Sequence, residues 1–132
     1  MKAKHTDSTD ATTTLQELKD ELATFRAERG WTDLSPRSQA ISIVLEAAEL
    51  IEHFQWDEYD PSHKTAIADE LADVLTYCFG LANELDIDIA AAYRDKLERT
   101  RQKYPTHIFN PDNTGDDANA AYDRIKKEYR GK

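Results

Sequence analysis

Two short acidic segments, Glu46-Ala47-Ala48-Glu49 and Glu70-Leu71-Ala72-Asp73, sit inside otherwise apolar, helix-forming stretches, with twenty residues between Glu49 and Glu70. Residues three apart on a helix share a face, with Cβ atoms about 5–6 Å apart. Glu46 and Glu49 lie between Val44-Leu45 and Leu50-Ile51, and Glu70 and Asp73 lie against Leu71 and Val74-Leu75. The carboxylates therefore border the apolar stripes rather than oppose them. Two such helices packed face to face gather four carboxylates. At roughly 6 Å and an effective dielectric of about 20, each like-charged pair costs on the order of 3 kcal/mol. A fold that accepts this repulsion is expected to hold a divalent cation, and oxygen-only ligands suit Mg²⁺, which also bridges substrate phosphates. The competing reading is two solvent-facing acidic pairs on surface helices, where Glu is common. Glu52 extends the first acidic row by a turn and is a candidate fifth ligand or supporting base.

The punctuation around these segments is helical. Thr14-Leu15-Gln16-Glu17 reads as a capping box. The periodicity predicts a first helix to about Arg29, with Leu15, Leu18, Leu22 and Phe25 on one stripe and Gly30 at its end. Ser35-Pro36 supplies an N-cap and a first-turn proline for a second helix to about Gln55. Its inner stripe is expected to be Ile41, Val44, Leu45, Ala48, Ile51 and Gln55. Asp60-Pro61 repeats the signal for a third helix to about Leu85, apolar over a wide arc as in a helix covered on most sides. That arc points to a helical dimer. A fourth helix runs from about Asp88 to Lys103, where Tyr104-Pro105 stops it. Residues 106–118 are polar and turn-rich, and a weaker helix follows over 119–129. With no strand pattern and only four Gly and four Pro in 132 residues, the chain reads as all-α, a four-helix bundle in one domain. We divide it into a flexible N-terminal segment (1–13), the helical domain with the acidic segments (14–105), and a C-terminal loop and short helix (106–132).

The formal net charge of −9 argues against nucleic acid and anionic membranes as partners, since sequence-independent phosphate binding needs basic surface. A metal that screens phosphates still allows an acidic protein to bind nucleotides. Cys78 is the single cysteine, in the apolar run Tyr77-Cys78-Phe79-Gly80-Leu81, and is expected to be a buried, inert thiol. Met1 to Thr6 leads into polar sequence without an apolar core, and no apolar run reaches the roughly 20 residues of a membrane span. The cytoplasm is the expected compartment.

Together these residues resemble the all-α nucleoside triphosphate pyrophosphohydrolases of the MazG-like superfamily, which is marked by Glu-x-x-Glu, a spacer and Glu-x-x-Asp, and within it the dCTP pyrophosphatase branch. The resemblance covers about residues 15–107. It rests on Phe25 through Trp31, Pro36-Arg37, Glu46 through Trp56 ending in Phe54-Gln55-Trp56, Asp69 through Tyr77, and Lys96 with Lys103-Tyr104-Pro105. It implies Mg²⁺-dependent hydrolysis, with Mn²⁺ able to substitute, of a (deoxy)nucleoside triphosphate such as dCTP or a modified dCTP. The products are the monophosphate and pyrophosphate, and the role is nucleotide-pool sanitation. It also implies a homodimer or dimer of dimers with sites between subunits. Glu46, Glu49, Glu70 and Asp73 carry over as metal ligands, with Glu46 or Glu49 as general base. Trp31, Trp56 and Tyr77 carry over as walls of the base pocket, and Lys96 as a phosphate contact. Lys103 lies near enough in sequence to help offset charge on the leaving group, and Thr100 aligns with an Asn of the branch that touches the phosphate region. Two further departures bear on the base: Leu22 aligns with a His of the branch, and a second His has no counterpart around Asp33-Leu34-Ser35. Two other readings compete. One is a non-catalytic helical oligomerisation module with a vestigial acidic site. The other is a carboxylate-bridged di-iron protein, disfavoured because neither acidic helix carries Glu-x-x-His.

Overall fold

The computed structural model describes residues 7–56 and 58–131. Residues 1–6 of the expected N-terminal segment, Asp57 in the spacer between the acidic helices, and Lys132 lie outside the described residues. Within that N-terminal segment, Thr9–Thr13 forms a turn in which the Thr12 and Thr13 N–H groups both donate to the Thr9 carbonyl at 3.0 Å. The described residues form five α-helices: α1 (Leu15–Ala27), α2 (Pro36–Glu52), α3 (Lys64–Glu84), α4 (Ile89–Lys103) and α5 (Asp116–Arg130). A 3-10 turn, Pro61–His63, precedes α3, and there is no β-strand among the described residues. The chain is all-α, as its composition requires. No helix among the described residues is long and apolar enough to cross a membrane.

The helix ends follow local chemistry. At the start of α1, Thr14 accepts from the Glu17 N–H at 3.1 Å and Glu17 accepts from the Thr14 N–H at 2.6 Å, closing the capping box. Ser35 caps α2 by accepting from the Ser38 N–H at 3.1 Å. Asp60-Pro61 opens the 3-10 turn, and α3 begins three residues later than the proline signal suggests. Gly30, at φ 67°, closes α1 with the Trp31 N–H donating to the Arg26 carbonyl at 2.9 Å. Only a residue at ease with positive φ turns the chain sharply enough to lay Trp31 back over the last turn of α1.

Two compact units divide at Ile89 and Ala90. In the first, α2 packs along α3 and α1 packs on α3 less extensively. Lys19 of α1 is buried, donating from Nζ to the Ile87 carbonyl at 2.9 Å, while Asn83 Nδ2 donates to the Lys19 carbonyl at 3.0 Å. Near-neighbour pairs fix the register of α2 and α3: Gln39 beside Gly80, Glu46 beside Glu70, and His53 beside His63. Rising numbers on one helix meet falling numbers on the other, so the two run antiparallel.

The inner face of α2 differs from the expected one. Its covered residues are Gln39, Ser42, Ile43, Glu46, Leu50 and His53, at helical spacing and largely polar. Ile41, Val44, Leu45, Ala48, Ile51 and Gln55, expected inside, are exposed; Val44 is 66%, Leu45 58% and Ile51 63% accessible. On α3, Leu71 and Leu75 are exposed as well. Periodicity identified an apolar stripe correctly, but a stripe does not say what covers it, and these residues stand exposed. The buried apolar side chains among the described residues are few: Phe79 and Ala82 in the first unit, Ala118 and Ala121 in the second. Cys78 is half-buried, and burial pushes its thiol above the ordinary range.

In the second unit, Tyr104 anchors the connection between α4 and α5. It stacks on Tyr122 at 5.4 Å between ring centroids and meets Phe109 edge-on at 5.3 Å. The polar stretch after it is held by side-chain amides, Asn110 Nδ2 donating to the Thr106 carbonyl at 2.9 Å and Asn113 Nδ2 to the Ile108 carbonyl at 2.7 Å. The last helix is longer than its sequence pattern suggests, beginning at Asp116, where two acidic residues occupy its positive end.

Candidate active site

The covered face of α2 is a ladder of polar groups set against α3. Its middle rung is Glu46, with Glu49 one turn on and Glu70 across from it on α3. Glu46, Glu49 and Glu70 each present an oxygen, all within 4.8 Å of one another. Glu46 and Glu70 are half-buried and Glu49 is exposed. Asp73 does not belong to this set, yet its charge acts on Glu46. Partial burial first, then the charges of Glu49, Asp73 and Glu70, hold the Glu46 carboxyl above its ordinary range. Glu52 is exposed and outside the set.

The donor set fits a hard divalent cation. It is oxygen-only, and ligands facing each other across Mg²⁺ at about 2.1 Å sit about 4.2 Å apart, within a small side-chain rotation of the observed spread. A cation here would also relieve the repulsion that raises the Glu46 pKa. Glu70 has a partner that the sequence did not reveal: His53 Nε2 lies 3.3 Å from its Oε1, and the His63 ring packs edge-on against His53 at 5.8 Å. The missing signal was the α2–α3 register. Once Glu46 faces Glu70 across antiparallel helices, a residue seven further along α2 shares that face.

One turn from the carboxylates, on the side of Ser42 in α2 and of Thr76 and Tyr77 in α3, lies a cavity of about 430 Å³. Its other walls are Leu22, Phe25 and Arg26 of α1, with Trp31 and Leu34 of the following loop. Trp31 meets Phe25 edge-on at 6.0 Å, and the Arg26 guanidinium lies 5.9 Å from the Tyr77 ring centroid. Of the aromatic residues singled out in the sequence, Trp31 and Tyr77 line this cavity, while Trp56 is 87% exposed and does not. Lys96, Thr100 and Lys103 line a separate cavity of about 340 Å³ in the second unit with Arg99 and Tyr129. There the Lys103 Nζ lies 4.4 Å from the Tyr129 ring centroid, and Thr100 Oγ1 donates to the Lys96 carbonyl at 2.9 Å.

Residues 41–110 match the sequence model of the MazG-like family. The dCTP pyrophosphatase 1 of Rattus norvegicus is 35% identical over 104 residues, 72% of this chain and 61% of that protein. Its Homo sapiens counterpart is 34% identical over the same shares. The chain thus spans about 61% of the length of these curated relatives. A solved pyrophosphatase from Archaeoglobus fulgidus superposes with a TM-score of 0.63 at 36% identity, over 69% of this chain and 92% of that one.

Proposed function

We propose that this chain, which belongs to the MazG-like family, is a metal-dependent pyrophosphohydrolase that cleaves a (deoxy)nucleoside triphosphate, dCTP or a modified dCTP, to the monophosphate and pyrophosphate. What supports the reading is one juxtaposition: three carboxylate oxygens within 4.8 Å, one helical turn from a cavity walled by Trp31 and Tyr77. The spacing suits a nucleotide with its base in the cavity and its phosphates over the carboxylates. Mg²⁺, bound by Glu46, Glu49 and Glu70 with Asp73 beside them, would polarise the phosphate oxygens and acidify a nearby water. The general base is Glu46 or Glu49, the carboxylate of the α2 pair that the metal does not saturate. We assign it the proton of the attacking water, whose oxygen adds to the α-phosphorus as the pyrophosphate leaves. Trp31 and Tyr77 offer faces for the base. Lys96, Thr100 and Lys103 keep the phosphate-contact role that the family resemblance implies, with the two cations able to offset charge on the leaving group.

The same reading includes self-association. Apolar side chains as exposed as Val44, Leu45, Ile51, Leu71 and Leu75 on two neighbouring helices mark an interaction surface. A second copy, presenting the same seam, is the occupant that the family points to. Trp56, so far out of its own chain, is then available to a neighbouring subunit's pocket. The test is a panel of canonical and modified nucleoside triphosphates with Mg²⁺, following monophosphate and pyrophosphate. Release of orthophosphate as the direct product, or no metal-dependent turnover of any member, overturns the assignment and favours a non-catalytic helical module.

A further inference from the structure

We propose that Arg26 is the residue that reads the base, selecting one with two adjacent hydrogen-bond acceptors on its edge, as cytosine offers at N3 and O2. The inference rests on the nucleotide reading above.

Arg26 stands between two cavities. One is the 430 Å³ space beside Tyr77, and the other, of about 170 Å³, lies toward Gln39, Gly80 and Asn83. Its guanidinium is clamped on that second side. Nη1 donates to Gln39 Oε1 at 2.8 Å, and Gln39 is only 2% exposed. An arginine has no acceptor, so the Gln39 oxygen must be the atom that faces it. The Gln39 amide nitrogen then turns to the Leu34 carbonyl, 3.4 Å away. Gly80 makes the clamp possible, because a Cβ there would collide with Gln39 Oε1 and with Arg26 Nη1. No carboxylate lies within ion-pairing distance of Arg26 among the described residues. The protein therefore holds a half-buried cation with both terminal nitrogens over Gly80, and among the described residues Gln39 takes one of its five donors.

That arrangement suits a ligand edge that accepts. The phosphates have their place one turn away at the carboxylates. The cavity beside Arg26 is walled by aromatic and aliphatic groups suited to a base, and Leu22, one turn earlier on α1, adds no polar atom. A guanidinium fork pairs with two neighbouring acceptors in one plane. Cytosine has them at N3 and O2, and guanine at N7 and O6. Adenine places its amino donor beside each ring acceptor of that edge, and thymine places N3–H between its two carbonyls. The similarity to dCTP pyrophosphatases favours cytosine of the two.

Steady-state kinetics on dCTP, dGTP, dATP and dTTP test this with the full chain and Mg²⁺, using the wild type and Arg26→Met, Arg26→Lys and Gln39→Leu. The wild type is expected to prefer dCTP. In Arg26→Met the ratio of kcat/KM for dCTP over dTTP should fall about tenfold to a hundredfold, chiefly through KM for dCTP. Arg26→Lys, which keeps the charge but loses the fork, should recover part of the ratio. Gln39→Leu, which frees the guanidinium, should fall between. Melting temperatures of the variants separate misfolding from lost recognition, and Arg26→Lys serves if Arg26→Met does not fold. An equal fall for all four nucleotides overturns the inference while leaving the hydrolase intact, and a wild-type preference for dGTP overturns the cytosine assignment. A wild type that hydrolyses neither these four nor a modified dCTP removes the nucleotide reading itself.

Discussion

Val44→Glu puts the self-association seam to a quantitative test. Val44 is 66% exposed on α2 within one chain. Full burial of a side chain of this class contributes about 1.5–3 kcal/mol. Covering the open two-thirds of Val44 is thus expected to contribute about 1–2 kcal/mol, and a twofold interface uses it twice, for about 2–4 kcal/mol. Glutamate forfeits that and brings a charge to the seam, whose desolvation costs several kcal/mol per ion unless it is paired. Even if each glutamate escapes partly to the rim, the dimer should lose about 6 kcal/mol, roughly four orders of magnitude in its dissociation constant. Sedimentation velocity across a micromolar concentration series reads this directly, with melting followed on the same samples. The control is Thr24→Glu, the same introduced charge at an exposed position on α1. The expected result is a dimer or larger species for the wild type and control, and a monomer with a lowered melting temperature for Val44→Glu. Identical sedimentation and melting of Val44→Glu and wild type would refute the reasoning, as would a wild type that stays monomeric throughout the series.

Three other outcomes follow from the carboxylate ladder. Glu70→Gln keeps the shape of the site but removes a charge and a ligand. It should lower kcat/KM by more than the tenfold to hundredfold typical of residues that merely support a ligand, and should abolish the stabilisation by Mg²⁺ seen in thermal melts. Full activity in that variant would sink the assigned site. His53→Ala frees the Glu70 carboxylate and should raise the half-saturating Mg²⁺ concentration about tenfold. His53→Gln, which retains a donor, should raise it less, and equal values for both variants and wild type would show that the 3.3 Å contact does not orient Glu70. The third concerns pH. The Glu46 pKa is raised in the folded chain, so its stabilising contribution is fully present below the unfolded value of 4.5 and is lost as pH rises through the folded value. In EDTA the melting temperature should therefore fall as pH rises from 4.5 through the folded value, and the gain from added Mg²⁺ should grow over the same range. Asp60 acts in the opposite sense, because Ser62 holds its carboxyl below its ordinary 3.8, and it matters only at lower pH. A flat or rising profile in EDTA would show that burial and the neighbouring carboxylates do not hold Glu46 up as argued.

The amino-acid sequence by itself determined the helices and, to within a turn, their ends. The capping box at Thr14, the Ser35-Pro36 start and the Gly30 stop are contacts between near neighbours, so their chemistry needs no knowledge of the rest of the chain. It also placed Glu46 with Glu49 and Glu70 with Asp73, since spacing along one helix is local geometry. The tertiary structure alone decided which face of each helix is covered. Val44, Leu45 and Ile51 form as good an apolar stripe as any core helix, yet α2 turns Gln39, Glu46 and His53 toward α3 instead. Periodicity reports that a stripe exists but not what buries it. In the same way, the pairings Arg26–Gln39 over Gly80 and His53–Glu70 span 13 and 17 residues. They depend on the antiparallel register of α2 and α3 and, for Arg26, on the seat of α1 against α3, which arise only when non-local packing chooses one alignment among several that the local signals permit equally.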